Sequence, residues 1–194
     1  MTEEGLLVGA DGRTRCWWCG TDPDYVRYHD EDWGTPMHGD TALFELLCLE
    51  GFQAGLSWLT ILRKRAAFRV AFDAFVPGIV AGYGDADVER LMADAGIVRN
   101  RAKIDATIGN ARALLELQAR GGSLDEVVWT GGAHPPRPRP SAIGEIPAAT
   151  PEAKALSKEL KRLGFRFVGP TIVYAFLQSA GVVDDHLEGC FRAT

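Results

Sequence analysis

The 194-residue sequence has no apolar run near the roughly 20 residues a helix needs to cross a bilayer, which sets membrane-spanning functions aside. Cysteine is scarce. Cys16, Cys19, Cys48 and Cys190 are too few and too scattered for a disulfide framework, which leaves metal binding or plain burial. An excess of positive charge is missing too: 21 Lys and Arg stand against 26 Asp and Glu, a net charge of -5. That argues against a charge-driven, non-specific nucleic-acid binder, so any DNA contact must be a local patch. No segment alternates apolar and polar residues for long, and no internal repeat is present, so the fold class expected is all-α. Residues 1–14 lack the basic start and apolar core of a signal peptide, carrying Glu3, Glu4 and Asp11 beside a brief Leu6-Leu7-Val8. They read as a frayed tail on a cytoplasmic protein whose residues 15–194 form a single helical domain.

What is present supports such a domain. A hydrophobic share of 46% with 24% charged residues allows a core of useful size. Asp22-Pro23 is an N-cap and first-turn pair that predicts a short helix carrying Tyr25, Tyr28 and His29. Asp40 is expected to cap Thr41 to Leu49, where Leu43, Phe44, Leu47 and Cys48 make an apolar stripe. Leu49 to Trp58 reads as the turn after it, punctuated by Gly51 and Gly55, with Ser57 capping a helix to about Phe72. That helix should turn Leu59, Leu62 and Phe68 inward and Lys64 and Arg65 outward.

Pro77 opens a short helix, and Asp85 is expected to cap Ala86 to Ala95, with Gly96 ending it. The clearest amphipathic run follows, with Ile104, Ile108, Ala111, Leu114 and Leu115 on one side and Gly121-Gly122 as its stop. A short helix over Leu124 to Trp129 precedes His134 to Pro140, a proline-rich loop. Glu152 to Leu163 is basic and helical, Gly164 to Gly169 is a tight turn, and Pro170 starts the last long helix, to about Ala180.

Three constellations carry chemistry. The first is Glu50, a carboxylate set against Leu49, Gly51 and Phe52, where a charge is costly unless something pairs with it. Trp17, Trp18, Tyr25, Tyr28, Trp33 and Trp58 lie near it or near His29 in the chain, and a flipped, electron-poor base needs such stacking partners and a carboxylate acceptor. The second is the set of His186 and Cys190, four apart, with Cys16 and His29 far away in sequence. Together they suit a closed tetrahedral zinc site, but Cys16 with Cys19 is the more familiar local spacing, and the residues alone leave both open. The third is Leu163 to Thr171, which resembles the helix-hairpin-helix element of DNA repair proteins. Free N–H groups at a helix start, approached past a glycine, hold a phosphate. Lys154, Lys158, Lys161, Arg162 and Arg166 supply nearby positive charge.

Taken in order along the chain, Asp22-Pro23, Tyr28-His29-Asp30, Trp33-Gly34, Leu49-Glu50-Gly51, Gln53 to Trp58, Asp94 to Ile97, Ile108 to Arg112, Gly164-Phe165 and Phe167 to Gly169 resemble the DNA-3-methyladenine glycosylase I family of the helix-hairpin-helix superfamily. The likeness runs from about Arg15 to Cys190. It implies a structural zinc on Cys16, His29, His186 and Cys190, in preference to Cys19. It implies that Glu50 and Tyr28 read the base, with Trp58, Tyr25, Trp18 and Trp33 at the pocket. DNA contact falls to Gly164, Phe165, Val168, Gly169, Thr171, Lys161 and Arg166. Asp185 is a minor catalytic candidate, since the family lacks the catalytic Asp of its superfamily; its other role would be to support His186. Cys19 and the longer N-terminal tail depart from the family's pattern.

The activity so implied is hydrolysis of the bond joining 3-methyladenine to deoxyribose in double-stranded DNA, by a monomer with no membrane partner. Two other classes fit parts of the sequence. A non-catalytic nucleic-acid adaptor would share the hairpin and make Glu50 dispensable. A zinc hydrolase would need three protein ligands and an open position.

Overall fold

The computed structural model describes residues 5–133 and 138–193. Helices dominate. In chain order they are α1 (Pro23–Arg27), α2 (Asp40–Gln53), α3 (Trp58–Ala71), α4 (Pro77–Val80), α5 (Asp85–Ala93), α6 (Arg101–Ala119), α7 (Leu124–Gly131), α8 (Pro151–Arg162) and α9 (Pro170–Ser179). Among the described residues, no helix is long and apolar enough to cross a membrane.

One expectation fails at the start of the chain. Residues 6–16, mostly assigned to a frayed tail, form an antiparallel hairpin in which β1 (Leu6–Val8) pairs with β2 (Thr14–Cys16), Leu6 lying opposite Cys16. Three-residue strands are too short for alternation to reveal, so the all-α expectation becomes mostly helical with one small sheet. The hairpin is tied down by Arg15, a buried guanidinium that pairs with Asp11 at the turn and with Asp30 beyond α1.

Helix starts follow local chemistry where the cap is a side chain. Asp22 accepts from the backbone N–H of Asp24 and Tyr25, and Ser57 from that of Thr60. Asp40 and Asp85 do not cap: each is the first helical residue after a glycine. Asp40 instead accepts from Gln118 and from the backbone of Asp125, joining α2 to α6 and α7.

The larger correction concerns Gly51. Helix α2 runs through Glu50, Gly51 and Phe52 to Gln53, and the turn is confined to Ala54 to Ser57, with Gly55 at φ +82°. Gly51 packs closely on the turn before α9, where a Cβ would sit 3.3 Å from the Cβ of Phe167. The end of α2 is closed by buried Lys103 of α6, whose ammonium donates to the carbonyls of Phe52 and Ala54 at 2.7 and 2.6 Å. Glu50 is thus carried on the buried face of a core helix, at a defined height. Facing residues differ from expectation at two further places: Ile61, not Leu59, is fully buried on α3, and Leu115 of α6 is exposed.

Helices α8 and α9 are joined by the turn Leu163 to Gly169 and pack on each other and on α2 and α7. Phe165 and Val168 are buried beneath the turn, Ser157 donates to the Val168 carbonyl, and buried Asn110 clasps both backbone groups of Arg166, accepting at 2.7 Å and donating at 3.1 Å. Those bonds hold Phe167 at φ +55°, a conformation only glycine adopts cheaply. Of the proline-rich loop, residues 134–137 lie outside the described residues; 138–140 have no regular structure.

Candidate functional site

A cavity of about 280 Å³ opens where α2, α3, α9 and the turn after α1 meet. Its walls include Trp18, Tyr25, Tyr28, Trp33 and Trp58, with Ile143 and Ile146 from the segment before α8 and Gln53, Ala175, Gln178 and Ser179 from α2 and α9. The aromatic residues brace one another: ring centroids are 5.1 Å apart for Trp18 and Tyr25, 5.0 Å for Trp18 and Trp33, and 5.4 Å for Tyr28 and Trp58. The result is an apolar slot with rigid walls.

Polar groups in it are few and ordered. Glu50 is 2% exposed. Its Oε1 accepts from the Ser179 hydroxyl at 2.9 Å, and Ser179 in turn accepts from the Tyr28 hydroxyl at 2.9 Å. Glu50 Oε2 and the indole Nε1 of Trp58 are buried with no partner among the described residues. Burial pushes the Glu50 carboxyl up to about 8, against which the Ser179 hydrogen bond works. Burial likewise raises Tyr28 well above the usual phenol range, so its hydroxyl stays protonated. A cavity lined by aromatic faces, with one orphaned acceptor and one orphaned donor, is built to take a flat, polar-edged ligand.

Behind the aromatic wall lies a second buried cluster. The ligand atoms of Cys16, His29, His186 and Cys190 all fall within 4.8 Å of one another, from three segments at opposite ends of the chain. Sulfur-to-nitrogen separations are 3.8 Å for Cys16 and His186, 3.5 Å for Cys190 and His29, and 3.7 Å for Cys190 and His186. Each imidazole uses its other nitrogen as support. His29 Nδ1 bonds Asp30 at 2.8 Å, and His186 Nε2 faces the Trp33 carbonyl at 3.3 Å. Burial works to raise the Asp30 carboxyl, but bonds from Arg15 and His29 prevail and hold it below its ordinary range. The hydrogen bond between the two sulfurs pushes the Cys16 thiol up and draws that of Cys190 down. Cys19 is buried apart from this set, its thiol turned to the Cys16 carbonyl.

Comparison with known proteins identifies the family. The profile of the methyladenine glycosylase family matches residues 18–193. The chain belongs to that family. It is 49% identical over 177 residues to DNA-3-methyladenine glycosylase 1 of Escherichia coli (strain K12), covering 91% of this chain and 95% of the relative. A crystal structure of 3-methyladenine DNA glycosylase I superimposes with a TM-score of 0.89 at 46% identity, covering 93% of this chain and all of the other. A tyrosine-to-phenylalanine variant of 3-methyladenine DNA glycosylase I, solved in complex with 3-methyladenine, aligns with a TM-score of 0.86 at 38% identity over 91% of this chain and 96% of the other.

Within this methyladenine glycosylase, the structure gathers Glu50, Tyr28, Trp58, Tyr25, Trp18 and Trp33 around one cavity. It separates Asp185 from them. That carboxylate is buried and accepts from Tyr174 at 2.5 Å and, at 2.7 Å, from Gln178, a residue of the cavity wall. The residue that reaches the backbone N–H of His186 is Asp184. At the turn before α9, Gly164, Lys161, Arg166 and Thr171 are exposed and Gly169 is half-buried, whereas the side chains of Phe165 and Val168 point into the core. Those two can offer only their backbone to a ligand.

Sequence reasoning missed Ser179, Gln178, Gln53 and the Ile143–Ile146 edge. Gln178-Ser179, a polar pair ending an otherwise apolar helix start at Pro170, was the available signal for two of them. It also missed Asn110 and Lys103, whose partners are backbone atoms about fifty residues away and leave no mark in the local pattern.

Proposed function

We propose that this chain removes 3-methyladenine from alkylated double-stranded DNA, hydrolysing the N-glycosidic bond to leave an abasic site. The observation that carries the proposal is the unpartnered Glu50 Oε2 inside an aromatic slot. A buried carboxylate oxygen with nothing to bond costs free energy unless a ligand completes it. The amino edge of adenine supplies hydrogens, and methylation at N3 supplies positive charge while the base is still on the sugar. In the empty slot Glu50 holds a proton at neutral pH, since its carboxyl is raised to about 8. A cationic base shifts it to the carboxylate, and their attraction is strong in so dry a place.

The same charge settles the leaving-group chemistry. When the C1′–N9 bond breaks, its electron pair goes to the cationic ring, which departs neutral and needs no general acid. Water then adds to C1′ and loses a proton. The protein's task is to take the base out of the stack, grip it and favour the developing sugar cation. Flipping costs a few kcal/mol, and stacking returns about 1–3 kcal/mol per aromatic contact. Tyr28, Tyr25, Trp18, Trp33 and Trp58 therefore matter individually.

Cys16, His29, His186 and Cys190 would hold a structural zinc. Zn–S and Zn–N bonds of about 2.3 and 2.0–2.1 Å imply tetrahedron edges of roughly 3.6 Å. Three of the four sulfur-to-nitrogen separations, at 3.5 to 3.8 Å, lie close to those edges, and the whole set falls within 4.8 Å. Four protein ligands close the ion's coordination, so its contribution is to tie the β hairpin and the C-terminal segment to the aromatic wall. The turn between α8 and α9 would serve as a helix-hairpin-helix element. Its exposed N–H groups at the start of α9 suit a phosphate, helped by exposed Lys161 and Arg166. A monomer acting on duplex DNA completes the reading.

The test is release of free bases from methylated duplex DNA, identified by mass. The proposal expects 3-methyladenine as the chief product, 7-methylguanine poorly released because its carbonyl meets Glu50, and hypoxanthine or uracil hardly at all. Release of 7-methylguanine as efficient as that of 3-methyladenine would overturn this account of the pocket.

A further inference from the structure

We propose that Ser179 is a positioning residue that sets which way the Tyr28 hydroxyl points, and so makes the pocket's Tyr28–Glu50 edge a pure hydrogen-bond acceptor when Glu50 is ionised. The inference rests on the functional reading above and deepens it.

The argument is one of counting hydrogens. Ser179 is buried at the end of α9, between Glu50 of α2 and Tyr28 of the turn after α1, at 2.9 Å from each. A carboxylate only accepts, so the single hydroxyl hydrogen of Ser179 goes to Glu50 Oε1. Ser179 must then accept from Tyr28, whose own hydrogen is thereby turned away from the cavity. What remains toward the cavity is a lone pair on Tyr28 and the unpartnered Oε2 of Glu50. Both accept. A base whose edge carries amino hydrogens satisfies them; one presenting a carbonyl meets two oxygens.

If Glu50 is protonated on Oε1, the chain reverses. Glu50 donates to Ser179, Ser179 to Tyr28, and the Tyr28 hydrogen swings into the cavity. A serine can relay in either direction because it has one hydrogen and lone pairs to spare. The polarity of Tyr28 is thus coupled to the charge on a residue it does not touch. The other groups facing Glu50 cannot replace this link. Tyr25 and Tyr28 are the titratable neighbours on its α1 side, α3 offers the Trp58 indole N–H, and α9 offers the Gln178 amide; none carries a charge.

Two variants on full-length protein test this, Ser179→Ala and Tyr28→Phe, with the double variant. Base release from methylated duplex DNA gives kcat/KM as a function of pH, and calorimetry gives affinities for free 3-methyladenine and hypoxanthine. Ser179→Ala should lower kcat/KM for 3-methyladenine about ten-fold. It should move the rising limb of the pH profile upward, because Glu50 loses the bond that favours its ionised form. It should also narrow the affinity ratio of 3-methyladenine over hypoxanthine, since a freed Tyr28 hydroxyl can donate to a carbonyl. Tyr28→Phe should cost clearly less on the Ser179→Ala background than on the wild type. Additive effects with an unmoved pH limb and an unchanged affinity ratio would mean that Ser179 only fills space, and would overturn the inference. A wild type that binds neither base overturns the reading of the pocket itself, and with it this one.

Discussion

The two buried polar sites of this protein share a wall and differ in one respect. Trp18 and Trp33 separate them, packing at ring-centroid distances of 5.2 Å on His29 and 4.6 Å on His186 while lining the base cavity on their other side. In the cysteine–histidine cluster each ring nitrogen turned away from the cluster has a protein partner. In the cavity, Glu50 Oε2 and Trp58 Nε1 have none among the described residues. Buried groups left unpaired are costly, and a fold retains them where a ligand repays the loss. The complete cluster therefore reads as a fastening and the incomplete one as a receptor. Substitutions should separate the two by what they damage.

The largest effect is expected at the fastening. Cys190→Ser should lose the proposed zinc and lower the melting temperature by about 10 °C, which corresponds to roughly 3 kcal/mol for a chain of this size. Zinc-dependent peptides lose about 10–16 kcal/mol, but this chain has a large apolar core of its own. Cys19→Ser should keep both metal and stability, because the Cys19 thiol bonds backbone carbonyls and not the cluster. Metal analysis with calorimetry on the two variants checks this. A Cys19→Ser protein without zinc would falsify the ligand assignment.

At the receptor the sign reverses: loss of function should come with a gain in stability. Glu50→Gln should lower kcat/KM for 3-methyladenine release about 100-fold, as expected for one preorganised electrostatic contact. The stability change follows from the raised carboxyl. A group whose folded pKa, here about 8, lies above its unfolded value of 4.5 stabilises the fold fully below 4.5. That stability is lost progressively as pH rises toward 8. Glutamine does not titrate, so the variant should melt higher than the wild type at pH 8, and the gap should close as pH falls to 4.5. Melting curves at both pH values decide it; a gap independent of pH would mean that Glu50 is not raised in the folded state.

How much of this difference was legible in the sequence depends on how far apart the partners lie. The four cluster residues could be named as a set, but Cys16 with Cys19 competed on spacing alone; the family resemblance preferred the set of four, and the fold brings those four together while the Cys19 thiol turns to a backbone carbonyl. Glu50 drew attention as a charge among apolar neighbours, yet its setting was misjudged. Glycine punctuation suggested a turn at Gly51, whereas tertiary packing against Phe167 makes that glycine part of a helix. Local propensity loses to packing when a second element needs the space. Helix starts with a capping side chain, as at Asp22 and Ser57, were readable because donor and acceptor lie within three residues. Ser179 was not, because its partners are 129 and 151 residues away.

A third region lets the comparison be sharpened. The turn before α9 touches neither site's ligand atoms, so damage there should spare both. At Gly169 a Cβ would meet nothing within 4 Å and the backbone has an ordinary φ of -62°, so Gly169→Asp should fold normally. Its carboxylate would sit at the start of α9, where a phosphate is expected. Affinity for all duplexes should fall about ten-fold, irrespective of sequence, since phosphate contacts carry no base information. Binding of free 3-methyladenine and zinc content should not change. Parallel loss of duplex and free-base binding would show that the turn and the cavity are one site.

The smallest effect is expected where that turn meets the helix bearing Glu50. Gly51→Ala has two opposed consequences. Alanine is better than glycine inside a helix by about 1 kcal/mol. Its Cβ, however, would lie 3.3 Å from the Phe167 Cβ and 3.7 Å from the Phe167 carbonyl oxygen, so Phe167 must give by a few tenths of an ångström. Phe167 has little freedom to do so, being held at φ +55° between Arg166, clasped by Asn110, and Val168, bonded by Ser157. The two terms should nearly cancel in stability, leaving the melting temperature within about 3 °C of wild type. The displacement remains. It would tilt the turn before α9 against α2 without touching the cavity wall, because Gly51 is not among the residues that line the cavity. Base release from duplex DNA should slow by about three-fold while free 3-methyladenine binds as before, in keeping with the sensitivity of catalysis to small misplacements. Calorimetry of the free base beside single-turnover release from duplex separates these outcomes. Equal losses in both assays would mean that strain at Phe167 passes along α2 into Glu50, and that the receptor is less isolated from the DNA-facing turn than its packing indicates.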